Sequence, residues 1–184
     1  MDAPFGKTLF VLGGARSGKS RHAQTVAEHA ASGGGDLVYL ATAQAFDDEM
    51  VDRIARHRAD RDARWRTVEA PIDLSKALAD VDREDSVIVV DCLTLWVTNL
   101  LLGDHDIEAR TDDLLHAIGN LHGRAVFVSN EVGMGIVPDN ALARRFRDEA
   151  GRLHQRLAAQ VDTVDMVFAG MAQRWKTTVI EGSV

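Results

Sequence analysis

The sequence is short of the residues that build cross-links and inorganic centres. Cys92 is the single cysteine among 184 residues, which excludes an internal disulfide and any cysteine-built zinc or iron–sulfur site. His22, His29, His105, His116, His122 and His154 show no metal-ligand spacing and read as surface or helix residues. Apolar runs are short, 87–90 (VIVV) and 100–102 (LLL) among them, far below the ~20 residues of a membrane span. Residues 1–7 (MDAPFGK) lack a charged region followed by a long apolar stretch and do not read as a signal peptide. Positive charge is in the minority, 21 Lys and Arg against 28 Asp and Glu, for a net charge of −7. Broad nucleic-acid binding is therefore disfavoured, while a local basic site remains allowed. With 46% hydrophobic and 27% charged residues the composition is ordinary. A chain of this length buries roughly 70% of its unfolded surface. The expectation is a soluble, cytoplasmic protein with residues 1–184 forming one domain and no internal repeat.

Short apolar runs alternate with longer helical patterns. Residues 8–12 (TLFVL), 36–40 (DLVYL), 86–90 (SVIVV) and 125–128 (AVFV) read as buried strands. Residues 64–68 (RWRTV) alternate and suit a strand nearer an edge, and 165–169 and 177–180 are two further strand candidates. Helices are expected over 19–31, 47–61, 74–81, 107–121 and 141–160. The last places Leu142, Phe146, Ala150, Leu153, Leu157 and Val161 three and four apart, with Arg144–Asp148 and Arg145–Glu149 as outer i, i+4 pairs. The alternation predicts an α/β fold with a mostly parallel central sheet flanked by helices.

Residues 13–20 (GGARSGKS) fit G-x-x-x-x-G-K-[ST], directly after a predicted strand and opening a helix. Such a loop points backbone N–H groups of Gly13, Gly14, Ala15, Arg16, Ser17 and Gly18 at phosphate oxygens, and the helix adds the positive end of its dipole. Lys19 reaches the β- and γ-phosphates, and the Ser20 hydroxyl ligates Mg²⁺. The spacing thus predicts a nucleoside triphosphate as ligand. Asp91, closing its strand, is the first candidate for the acidic partner that helps hold Mg²⁺, with Glu131 second. A carboxylate at that place also reads as an N-cap for the following helix.

The 47–61 segment carries Asp47, Asp48 and Glu49 in its first turn, and it puts His57 one turn from Arg53 and one from Arg61. Neighbouring cations keep an imidazole neutral, hence nucleophilic, and arginines can neutralise the phosphate it attacks. The competing reading is a solvated charged face.

In this order and at these intervals, GGARSGKSRHA, YLATAQAFDDEMVDRIARHRADR, WRTVEAP, DCLTLWVTNLL and NEVGMGIVPDNALARRFRDEAGRLHQRLA resemble one family. It is the bifunctional adenosylcobinamide kinase/adenosylcobinamide-phosphate guanylyltransferase family of cobalamin biosynthesis, and the resemblance runs from about Leu9 to about Ala169. It implies a RecA-like P-loop domain with two reactions. ATP or GTP phosphorylates adenosylcobinamide. A guanylylated histidine, formed from GTP with loss of pyrophosphate, then hands GMP to adenosylcobinamide phosphate. By this resemblance the histidine is His57, and nucleotide contacts fall on Thr42, Ala43, Gln44, Arg58, Ala59, Asp60, Arg61, Glu69 and Asp91. It also implies a homotrimer. Residues 132–138 (VGMGIVP) read either as a lid over the corrinoid or as a tight turn before the long helix. Trp175 and Lys176 have no assigned role. A kinase without a covalent step and a nucleotide-sensing ATPase are the alternatives.

Overall fold

The computed structural model describes residues 5–44 and 61–178. Within them the elements run β1 Thr8–Gly13, α1 Lys19–Ala30, β2 Asp36–Ala41, β3 Trp65–Glu69, α2 Leu74–Val81, β4 Ser86–Asp91, α3 Leu93–Leu102, α4 Ile107–Gly119, β5 Arg124–Asn130, α5 Ala141–Gln160, β6 Thr163–Phe168 and β7 Met171–Thr177. The strands form one sheet in the order β3-β2-β4-β5-β1-β6-β7. It is parallel except for β7, which runs antiparallel to β6.

The central strands are apolar almost without a break because helices cover both their faces. On one face α1 sets Ala23, Val26 and Ala27 against Leu9, Val11, Val89, Val126 and Val128. On the other, Leu78, Trp96, Leu114, Leu153 and Leu157 from α2 to α5 pack on Phe10, Leu40, Ile88, Val90 and Phe127. The alternating β3 lies at the edge, as its sequence predicts.

Three expectations need correction. No helix is expected over residues 93–102, yet α3 is there. Leu93, Thr94, Trp96, Val97, Asn99 and Leu100 are all buried, so the helix has no polar stripe to mark its period. The last described strand is Met171–Thr177; of the expected 177–180, Thr178 is not in a strand and residues 179–180 lie outside the described residues. A two-residue turn at Ala169 and Gly170, both at positive φ (49° and 81°), starts it. Its side chains are almost all exposed, so no alternation announces it. In α5 the pairs Arg144–Asp148 and Arg145–Glu149 give way to Arg147–Asp148 and Arg152–Glu149. Leu142, expected on the apolar face of α5, is 54% exposed. His22 and His154 both lie on helices, α1 and α5, in line with their reading as surface or helix residues. His22 bonds Asp165 at 2.9 Å, and His154 bonds the Ser129 hydroxyl at 2.7 Å beside the Phe10 ring. Burial lowers the His154 pKa to about 4, keeping the ring neutral.

Lys176 acquires a role. Its Nζ donates to the carbonyls of Ala158, Ala159 and Val161 at 2.9, 2.9 and 2.6 Å, capping the C-terminus of α5 with a cation where the dipole favours one. Lys176→Met is expected to cost about 1 kcal/mol, read as a melting temperature lower by ~2–4 °C. An unchanged melting temperature would remove the cap from the account.

Candidate nucleotide site

The loop between β1 and α1 stands at the carboxyl end of the parallel strands, where ligands of open α/β sheets bind. Its glycines answer local constraints. A Cβ on Gly13 would lie 2.6 Å from both Ser17 Oγ and the Val167 carbonyl, and Gly18 holds φ at +98°. Three backbone bonds brace the loop: Ser17 N–H to Gly14 O (3.2 Å), Gly170 N–H to Ser17 O (2.8 Å) and Glu131 N–H to Gly13 O (3.0 Å). The β6–β7 turn and the end of β5 therefore hold it from two sides. α1 starts with no side-chain cap and no acid in its first turn, leaving its first N–H groups for an anion. Lys19 is buried and folds its ammonium onto the Gly14 carbonyl at 3.2 Å. Ser17 Oγ is buried with no hydrogen-bond partner among the described residues. Ala15 and Arg16 are exposed, Arg16 at φ 56°, and Ser20 is half-buried in the first turn of α1.

Asp91 ends β4 next to Ala41 of β2 in register, and Glu69 ends β3 on the far side of Ala41. Two strand spacings, about 10 Å, separate the backbones of the two acids. Asp91 Oδ2 accepts the Tyr39 hydroxyl at 2.9 Å. The N-cap position of α3 belongs to Cys92, so the capping reading of Asp91 is withdrawn. Glu131 spends both carboxylate oxygens on its own loop, accepting from Gly133 N–H at 2.7 Å and Met134 N–H at 3.2 Å. Arg144 fixes the loop's other end through the carbonyls of Pro138 and Asp139. Between these anchors Met134, Ile136 and Val137 stand exposed.

Thr42 is fully buried. Its hydroxyl donates to the Cys92 carbonyl at 2.7 Å and accepts the Cys92 N–H at 2.8 Å, while its carbonyl accepts Asn99 Nδ2 at 2.8 Å. That side chain is committed to the strand ends, leaving half-buried Ala43 and Gln44 to offer contacts. Asn130 Nδ2 donates to Thr94 Oγ1 at 2.9 Å, and Thr94 Oγ1 lies 3.2 Å from Cys92 Sγ. Burial pushes the Cys92 thiol up from its ordinary pKa, against the opposing Lys19 charge nearby. Cys92→Ser is expected to keep most activity, measured as both transferase rates. Complete inactivation would show that the thiol has chemistry of its own.

Arg61 lies over the Tyr39 ring, 3.8 Å from its centroid, with Nη2 3.4 Å from Thr67 Oγ1. His57, Arg58, Ala59 and Asp60 lie outside the described residues, as do residues 47–56 of the expected 47–61 helix. The structure thus brings together Gly13 to Ser20, Thr42 to Gln44, Glu69 and Asp91 at one end of the sheet. Sequence reading missed Tyr39, Thr94, Asn99 and Asn130. Each sits in a run that reads only as strand or apolar segment, so no spacing signal marks it.

No group of three or more His, Cys, Asp and Glu that could cage a metal occurs among the described residues. Mg²⁺ binds through one or two protein oxygens together with substrate phosphates and water. Ser20 and Asp91 offer such oxygens, and the residues fit the ion.

The fold and the loop define a P-loop α/β domain of RecA-like architecture. The flagellar accessory protein FlaH from Methanocaldococcus jannaschii shares the fold at a TM-score of 0.57 and 14% identity, over 98% of this chain and 82% of FlaH. The family model for cobinamide kinase / cobinamide phosphate guanyltransferase (CobU) matches residues 9–175. The chain is 48% identical over 163 residues to the bifunctional adenosylcobalamin biosynthesis protein CobP of Pseudomonas aeruginosa, spanning 88% of this chain and 92% of that protein. It is 43% identical over 183 residues to CobU of Salmonella typhimurium, spanning 91% and 99%. The chain belongs to the cobinamide kinase / cobinamide phosphate guanyltransferase family.

Proposed function

We propose that this chain carries out both reactions of its family through one phosphate loop, the second by way of His57. The observation that carries the reading is the braced GGARSGKS loop with buried Lys19, an uncapped α1 and Asp91 at the same edge of the sheet. In the kinase reaction the hydroxyl of adenosylcobinamide attacks the γ-phosphorus of ATP or GTP. The γ-phosphorus–oxygen bond breaks, and the nucleoside diphosphate leaves. Lys19 and the N–H groups of residues 14–20 take up the charge that shifts onto the bridging oxygen. Mg²⁺, held by Ser20 and Asp91 when bound, neutralises phosphate charge.

In the second reaction an imidazole nitrogen of His57 attacks the α-phosphorus of GTP, and pyrophosphate leaves. The phosphate of adenosylcobinamide phosphate then attacks the guanylylated histidine, giving adenosyl-GDP-cobinamide and freeing the ring. Splitting one displacement into two predicts ping-pong kinetics in this half. Arg58, Ala59, Asp60, Arg61, Ala43, Gln44 and Glu69 are assigned to the guanine nucleotide, and Thr42 to holding their loop. The exposed Met134, Ile136 and Val137 offer the corrinoid an apolar seat beside the loop. The protein works in the cytoplasm as a homo-oligomer, a trimer by family resemblance.

The test is GTP labelled at the α-phosphate, incubated with enzyme and Mg²⁺ without corrinoid. Acid-labile, alkali-stable label on the protein is expected, as a phosphoramidate gives. Absence of label with nucleotide binding intact would leave a phosphate-loop kinase without a covalent step.

A further inference from the structure

Tyr39 is the only tyrosine in the chain, and it is buried in the middle of β2. Val89, Val126, Val128 and Leu37 in the same core cluster are aliphatic, so packing against them asks for no hydroxyl there. A buried phenol needs a partner for its O–H. The partner is Asp91 Oδ2 at 2.9 Å, the one hydrogen bond to that carboxylate among the described residues. Strand geometry makes the contact: Tyr39 pairs with Val89, and Asp91 follows Val89 by two residues on the same face.

The ring has two further neighbours. Trp65 meets it edge-on, with centroids 6.1 Å apart and planes at 81°. The Arg61 guanidinium covers its face at 3.8 Å and reaches Thr67, which pairs with Tyr39 across the β2–β3 ladder. Arg61 is four residues downstream of His57. One side chain therefore touches the strand-end acid with its hydroxyl and, with its face, the chain that follows the histidine.

We propose that Tyr39 is a positioning residue for both half-reactions: its hydroxyl fixes the Asp91 carboxylate, and its ring is the seat that docks the chain after His57. The proposal rests on the assignment of Asp91 and His57 made above. A fixed carboxylate meets a Mg–nucleotide complex without having to be ordered at the moment of binding. Arginine on an aromatic face is held with little loss of its own hydrogen bonding, so the ring fixes Arg61, the residue four after His57 in the chain.

The two contacts separate by substitution. Tyr39→Phe keeps the ring and removes the O–H; Tyr39→Leu removes both. Binding of α,β-methylene GTP, which His57 cannot cleave, is measured by calorimetry in Mg²⁺ and in EDTA. Label incorporation from α-labelled GTP is followed in parallel, with melting temperatures to confirm folding. Tyr39→Phe is expected to lose about tenfold in affinity in Mg²⁺ and to change little in EDTA. A merely structural tyrosine would not produce that split. Tyr39→Leu is expected to label at least tenfold more slowly than Tyr39→Phe. Equal Mg²⁺ dependence in wild type and Tyr39→Phe overturns the Asp91 half, and equal labelling of the two variants overturns the docking half. If Tyr39→Leu does not fold, Tyr39→Met, which retains bulk without a ring face, takes its place with the same outcomes. A wild type that takes no label overturns the covalent reading and the docking half with it, while metal-dependent binding still decides the other half.

Discussion

Lys19→Ala is expected to abolish both phosphoryl and guanylyl transfer, because both reactions draw on one cradled triphosphate. The side chain is buried at the loop, with its ammonium 3.2 Å from the Gly14 carbonyl. The next lysine in the chain is Lys76, in α2 on another element. Losing a charge that meets the transferring phosphates in a partly dehydrated site costs on the order of 10²–10³ in rate, or about 3–4 kcal/mol. The fold should survive, since α1 is anchored by Ala23, Val26 and Ala27 rather than by its first residue. Measuring each half-reaction separately, with melting as a control, tests this. Undiminished turnover in either half would remove the loop from that half.

His57→Ala is expected to separate the two reactions. Guanylyl transfer and α-label incorporation should fall to background, since no other side chain is assigned as nucleophile. Phosphorylation of adenosylcobinamide should keep a large part of its rate, because that transfer goes directly from nucleotide to hydroxyl and needs no covalent step. The readout is paired: γ-labelled ATP into corrinoid, and α-labelled GTP into protein. Equal loss of both would turn His57 from a nucleophile into a residue of shared binding or structure. Retention of both would return the second reaction to direct transfer.

The phosphate loop was legible because its chemistry is local. A strand, a glycine turn and a lysine at the start of a helix are consecutive in the chain, and the structure has them at Thr8–Gly13 and Lys19–Ala30. The parallel sheet was legible for a related reason, since strands buried on both faces read as unbroken apolar runs. α2 and α5 have the expected bounds because each carries a one-sided apolar stripe. α3 has none, being buried around most of its surface, and β7 is exposed on nearly every residue. In both cases burial does not vary along the element, so no period is written into it.

The sequence by itself carried the strand–loop–helix of the phosphate-loop motif, the α/β alternation and the family resemblance, all written into spacing along the chain. Only the tertiary structure decided which residues support the site. Tyr39 meets Asp91 from 52 positions away, Thr42 meets Cys92 from 50, and Gly170 braces Ser17 through its N–H. Parallel strands bring such residues together through crossovers of many residues, so their pairing depends on sheet order and register. The order β3-β2-β4-β5-β1-β6-β7 puts the β2 and β4 ends side by side and the β6–β7 turn against the loop. No pattern within a single segment encodes that placement.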